Sequence, residues 1–210
     1  MSSRYYADLA AIPCHLAFLI ATGVANAGYW ESLEGVLLIS MQVVAILAHV
    51  FYIRRYRTRP AFQDEVNTYK WLEYSVSATL GALAVLASSE EFPWQVPVIV
   101  AALGVAEQAT GYTLDLNVIP GVEAQTKDYV IWTSAAIGQI AEFVVIGSYS
   151  GFTAAYIFYV IFWSAYGGWA ALSLRGYPST LNARETGYSI LSTVAKLSVF
   201  ISSGFALSRQ

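Results

Sequence analysis

Seven long apolar runs leave this chain little choice of fold. They cover about residues 6–27, 33–53, 67–88, 95–114, 128–148, 152–174 and 186–207. Each has roughly the 18–24 residues that cross a bilayer core as an α-helix. In hydrocarbon every backbone N–H and C=O must be satisfied within its own segment, so such runs fold as helices. Only 12% of the residues are charged, about half the share in ordinary soluble domains. The expected class is all-α: one seven-transmembrane-helix bundle over residues 1–210, integral to the lipid bilayer. Runs five and six nearly touch at Gly147–Gly151, and a reading that merges them counts six spans.

The end of the first run, Val24-Ala-Asn-Ala27, has the look of a signal-peptide cleavage site. The run is long, is interrupted by Pro13 and His15, and is preceded only by Arg4, so it reads as a span. Lysine and arginine counts orient the bundle. Arg4, Arg54, Arg55, Arg57, Arg59, Lys70, Lys127, Arg175 and Arg184 fall on the N-terminal side, and only Arg209 on the other. The first loop (Glu31, Glu34) and the third (Glu90, Glu91) are acidic, and the fifth is uncharged. By the positive-inside rule the N-terminus is cytoplasmic and the C-terminus extracellular. The arginine run after the second span reads as a solvated cytoplasmic loop. One cysteine, Cys14, and two histidines rule out an internal disulfide and a Cys/His metal centre. No basic tract interleaved with aromatics points to nucleic acid.

Charges within spans are costly and mark function by default. Lys196 lies near the middle of the last run, where insertion costs about 2.5–3.5 kcal/mol, and its amine, once neutral, is a nucleophile towards an aldehyde. Asp8, Glu73, Glu107, Glu142, His15 and His49 also lie within or at the edge of spans. Spans three and seven run the same way, so Glu73 can face Lys196 from the N-terminal side. Ser77 follows Glu73 by four residues and Ser192 precedes Lys196 by four, each on the same helix face as its charge. Glu185 is three turns before Lys196 and again shares its face. A plain structural salt bridge is the competing reading of Glu73 and Lys196. Hydrogen bonds to a neighbour would account for His15, an interfacial position for His49, and bonds to Gln108 or Gln139, or a protonated and inactive state, for Glu107 and Glu142. In span six, Phe158, Tyr159, Phe162, Trp163 and Tyr166 recur at three- and four-residue spacings, an aromatic face suited to a flat conjugated ligand or to ordinary packing.

Seven spans, a lysine in the middle of the seventh, a carboxylate in the third and an aromatic sixth resemble the microbial rhodopsins. The finer resemblance is to heliorhodopsins. It rests on Trp71-Leu-Glu73-Tyr74-Ser75-Val-Ser77 and on Glu185-x-x-Tyr188-Ser-Ile-Leu191-Ser192-x-x-Ala195-Lys196, with His15 and His49 in spans one and two. The resemblance implies all-trans retinal bound as a protonated Schiff base on Lys196, with Glu73 as sole counterion. It also implies a cytoplasmic N-terminus, which the arginine count reaches on its own. Phe162, Trp163 and Tyr166 would line the chromophore pocket. The chain departs from the family pattern in a first loop cut to about Ala27–Ser32, a segment that normally helps dimer contacts, and in the sequence of span six.

The expected function is therefore a retinal-binding, light-sensing membrane protein, not an enzyme, acting on a signalling partner the sequence does not identify and able to form a homodimer. Ser77 and Ser192 are expected to bond the Lys196–Glu73 pair. His15 and His49 are expected to take the proton released after illumination, with Glu107, Glu142 and Glu185 as further proton-transfer groups. Two other readings stay open: light-dependent proton transport or conductance through those carboxylates, and a non-photoactive bundle held by a Glu73–Lys196 ion pair.

Overall fold

The computed structural model describes residues 2–25, 31–89 and 91–207. The centre of the first loop, Glu90 and Arg209, on which some of the expectations above draw, lie outside the described residues. Seven α-helices are present: α1 Ser3–Ala25, α2 Leu33–Thr58, α3 Thr68–Ala87, α4 Gln95–Asn117, α5 Thr126–Ser150, α6 Ala154–Leu174 and α7 Leu181–Leu207. A short 3-10 helix, Pro60–Asp64, follows α2, and no strand occurs among the described residues. Spans five and six are separate. Gly151, at φ 62°, ends α5, and Thr153 caps α6 by accepting from the backbone N–H of Tyr156 at 3.2 Å.

Local sequence sets the other ends as well. Ser32 caps α2, its hydroxyl accepting from Gly35 N at 3.0 Å. Gln125 and Asp128 form a reciprocal capping box that opens α5. Consecutive helices pack against one another, and α7 closes the ring on α1. Helix α3 is the central element, touching α2, α4, α5, α6 and α7.

The two ends of the bundle differ in chemistry. The half that carries the α5–α6 turn is a dry core that includes Leu38, Met41, Ala82, Val85, Val100, Ile146, Tyr159, Val199 and Phe200. The half that carries the N-terminus buries charge instead. The outer surface is apolar, with Leu47, Leu72, Ile137, Ile140 and Val144 each at least 60% exposed. An apolar exterior around a polar interior is the arrangement lipid demands. By length and composition alone, α2, α5 and α6 are apolar enough to cross a membrane; most of the buried charges lie on α1, α3, α4 and α7, with Glu34 on α2 and Asp128 and Glu142 on α5.

Candidate functional site: a buried lysine in a cavity wall

Lys196 sits midway along α7, 2% exposed, and its amine donates to Glu73 Oε1 from α3. It also donates to Ser192 Oγ at 2.6 Å and lies 5.2 Å from the centre of the Tyr74 ring. The four-residue spacing places Ser192 one helical turn back on the same face, as the sequence predicts. Tyr166 on α6 lies near Ser192 and lines the same cavity as Lys196. Ser77 departs from expectation: its hydroxyl is fully buried yet bonds nothing. Its position one turn beyond Glu73 is as expected, but the amine turns towards Ser192 on its own helix.

The same amine opens into a cavity bounded by α3, α4, α5, α6 and α7, about 760 Å³ of empty space, part of it open to the surface. Trp71, Tyr74, Trp132, Trp163, Tyr166 and Tyr188 supply its aromatic walls. A Cβ at Gly111 would collide with the Trp71 ring, so this glycine is what lets that wall close on α4. Of the three span-six aromatics expected in the pocket, Trp163 and Tyr166 line it and Phe162 does not. Helical spacing divides the stripe into two faces. Tyr159 and Trp163 turn inward, ring centres 4.5 Å apart. Phe162 stacks on Phe158, which is 41% exposed, along the outer side.

Towards the N-terminal ends a second polar group adjoins the lysine. Gln42 donates through Nε2 to the backbone carbonyl of Lys196 at 3.3 Å, and its Oε1 meets His15 Nδ1. An amide whose nitrogen is committed can only accept at its oxygen, so His15 carries its proton on Nδ1. His49 stacks on His15 with ring centres 5.8 Å apart, and its Nδ1 lies 2.9 Å from Asp8 Oδ1. Asp8 also accepts from Tyr56 at 2.7 Å and from Ser189 at 2.9 Å. Both histidines leave Nε2 buried and without a hydrogen-bond partner among the described residues. The sequence-predicted His15 and His49 are thus brought together beside the lysine; Gln42 and the role of Asp8 were missed.

Further towards the N-terminal face lies a cluster the sequence reading also missed. Lys70 bridges Glu185 at 2.6 Å and Asp115 at 2.7 Å. Arg184 reaches Asp115 at 3.1 Å, and Arg4 reaches Glu185 at 3.6 Å. Arg4, Lys70 and Arg184, counted above as cytoplasmic-side cations, are each at most 3% exposed. Glu185, expected among the proton-transfer groups, is held here between two cations. Lys70 also lies 4.3 Å from the centre of the Tyr188 ring, which lines the cavity. The signal available was the gathering of Arg4, Lys70, Asp115, Arg184 and Glu185 at one end of four spans.

Glu107 and Glu142 are not placed beside Lys196. They face each other across α4 and α5 within hydrogen-bonding reach. Glu142 accepts from Tyr159 at 3.0 Å, while Gln139 donates elsewhere, to the Trp163 carbonyl. No group of His, Cys, Asp and Glu suited to a metal ion occurs among the described residues.

This is the seven-helix fold of the microbial rhodopsins, a fold of multi-pass membrane proteins. The chain is similar to the viral rhodopsin OLPVRII, with a TM-score of 0.77 and 14% identity over 98% of each chain. It is also similar to the light-driven proton pump LR (Mac) from Leptosphaeria maculans, with a TM-score of 0.72 and 14% identity over 100% of this chain and 98% of that one. The proton-pumping rhodopsin AR2 from the marine alga Acetabularia acetabulum gives 0.72 and 14% over 99% and 97%. At these identities the likeness is one of fold. No family model and no curated protein matches the sequence.

Proposed function

We propose that the chain is a retinal-binding, light-sensing membrane protein of the heliorhodopsin kind, its N-terminus in the cytoplasm. The observation that carries the proposal is a buried amine paired with one carboxylate in the wall of an aromatic cavity. Retinal, joined through its aldehyde to Lys196 Nζ, would supply light absorption and a change of double-bond geometry. Trp71, Tyr74, Trp163, Tyr166 and Tyr188 are suited to hold the polyene, being apolar, flat and close to the amine. Glu73 sets its carboxylate against the nitrogen, whose single N–H in the linked form would go to that carboxylate, with the Ser192 hydroxyl beside it. The empty Nε2 positions of His15 and His49 are ready acceptors for a proton leaving that nitrogen.

Mixing purified protein with all-trans retinal is expected to give a visible absorption band, and Lys196→Ala to abolish it. A band that survives the substitution removes Lys196 from the attachment role. No colour with the wild-type chain favours the plain Glu73–Lys196 ion pair. A second reading, light-driven proton movement, is favoured by the bare histidine nitrogens and the Glu107–Glu142 contact, and by fold neighbours that are proton pumps. Voltage-clamp recording of illuminated cells separates the two: a sensor passes no photocurrent, and a transporter or channel passes one.

A further inference from the structure

Glu107 on α4 and Glu142 on α5 meet in the half of the bundle that holds the apolar core. Glu142 is 1% exposed and Tyr159, its hydrogen-bond partner on α6, is fully buried within that core. The helices leave room for the contact. A Cβ at Gly104 would come within 3.3 Å of Glu142 Oε1 and 3.2 Å of Thr79 Oγ1. The Tyr159 phenol from α6 and the Thr79 hydroxyl near Gly104 carry no charge, and Lys196, which shares the cavity with Glu107, is paired with Glu73. Thr79 spends its proton on the Ser75 carbonyl at 2.7 Å. Among the described residues no lysine, arginine or histidine forms an ion pair with either carboxyl. One oxygen of each, Glu107 Oε1 and Glu142 Oε1, is buried without a hydrogen-bond partner.

Two ionised carboxylates in contact, buried and without a cation, repel too strongly to persist. A single carboxylate accepting from its protonated neighbour and from the Tyr159 phenol gives the remaining charge two donors and makes the stronger, charge-assisted hydrogen bond. We infer that Glu107 and Glu142 act as one acid, sharing a single proton, and form a proton-binding site separate from the Lys196–Glu73 pair. Tyr159 donates to the pair and so stabilises the one negative charge it retains. Moving the proton between the two residues breaks one O–H bond and makes another, with no change in total charge. Glu107 lines the same cavity as Lys196. A change of charge in that cavity therefore biases which residue holds the proton, and Tyr159 lies on the path from the pair towards the α5–α6 turn.

The site does not depend on retinal, so its test is made in the dark on protein without added retinal. Infrared spectra of wild type and of the double variant Glu107→Gln with Glu142→Gln are compared near neutral pH. The difference is expected to contain one protonated-carboxyl C=O band and one carboxylate band per chain. Loss of two protonated bands, or of two carboxylate bands, overturns the inference. Carbon-13 NMR of glutamate-labelled wild-type protein reads the same count with no substitution, as a contact between one protonated and one ionised carboxyl. Retinal uptake is measured separately, so failure of the chromophore reading and failure of the shared proton are told apart.

Discussion

At the scale of single residues, Lys196 and Glu73 explain each other. Either charge alone inside the bundle would be costly, and removing one partner of a buried pair typically costs about 3–5 kcal/mol. Both were legible because a charge in an apolar run has few reasons to be there. With retinal in place, Glu73→Gln is expected to move the visible band to longer wavelength. The carboxylate stabilises positive charge at the nitrogen, which is greater in the ground state than in the excited state. An unmoved band in a spectrophotometer would take Glu73 out of the counterion role. Gln42 was not legible. A glutamine in an apolar run carries little signal, and its partner at Lys196 is 154 residues away.

At the scale of elements, α6 shows what spacing can and cannot say. The sequence locates its aromatics on the helix, but Tyr159, Trp163 and Tyr166 turn inward while Phe158 and Phe162 form a separate stacked pair. Residues at three- and four-residue steps spread over a wide arc, and only the neighbouring helices decide where the cavity cuts it. Helices α3 and α4 meet through Trp71 and Gly111 with no room for a methyl group. Gly111→Ala is expected to displace the Trp71 ring. Overpacking of this kind costs about 1–3 kcal/mol, read as a lower midpoint of thermal unfolding in detergent. The same variant is expected to take up retinal more slowly, because Trp71 lines the cavity. Unchanged melting would mean that the ring has another place to go.

At the scale of the whole molecule, the bundle is apolar at one end, apart from the Glu107–Glu142 pair, and charged at the other. Seven apolar runs made the helices and their order readable, since the runs and the helices nearly coincide. The charged end was not readable, because its members are scattered over four helices and three of them pass as ordinary loop cations. Asp115 answers both Lys70 and Arg184. Asp115→Asn is expected to destabilise the folded protein by about 3–5 kcal/mol, measured by thermal or denaturant unfolding; loss below about 1 kcal/mol would show that water reaches the cluster. With three of the nine N-terminal-side cations buried, six remain outside the ion cluster to favour a cytoplasmic N-terminus. A fluorescent reporter fused at the N-terminus is expected to stay protected from externally added protease in intact cells, and digestion would invert the bundle.

The closing contact between α1 and α7 also bears on how the chain is made. Arg4 on α1 is made six helices before Glu185, its partner on α7. Asp8 likewise waits for Ser189. Until then Arg4 has backbone carbonyls of the α2–α3 connection but no carboxylate to meet. Arrival of the seventh answers it, so closure of the ring marks the presence of all seven helices.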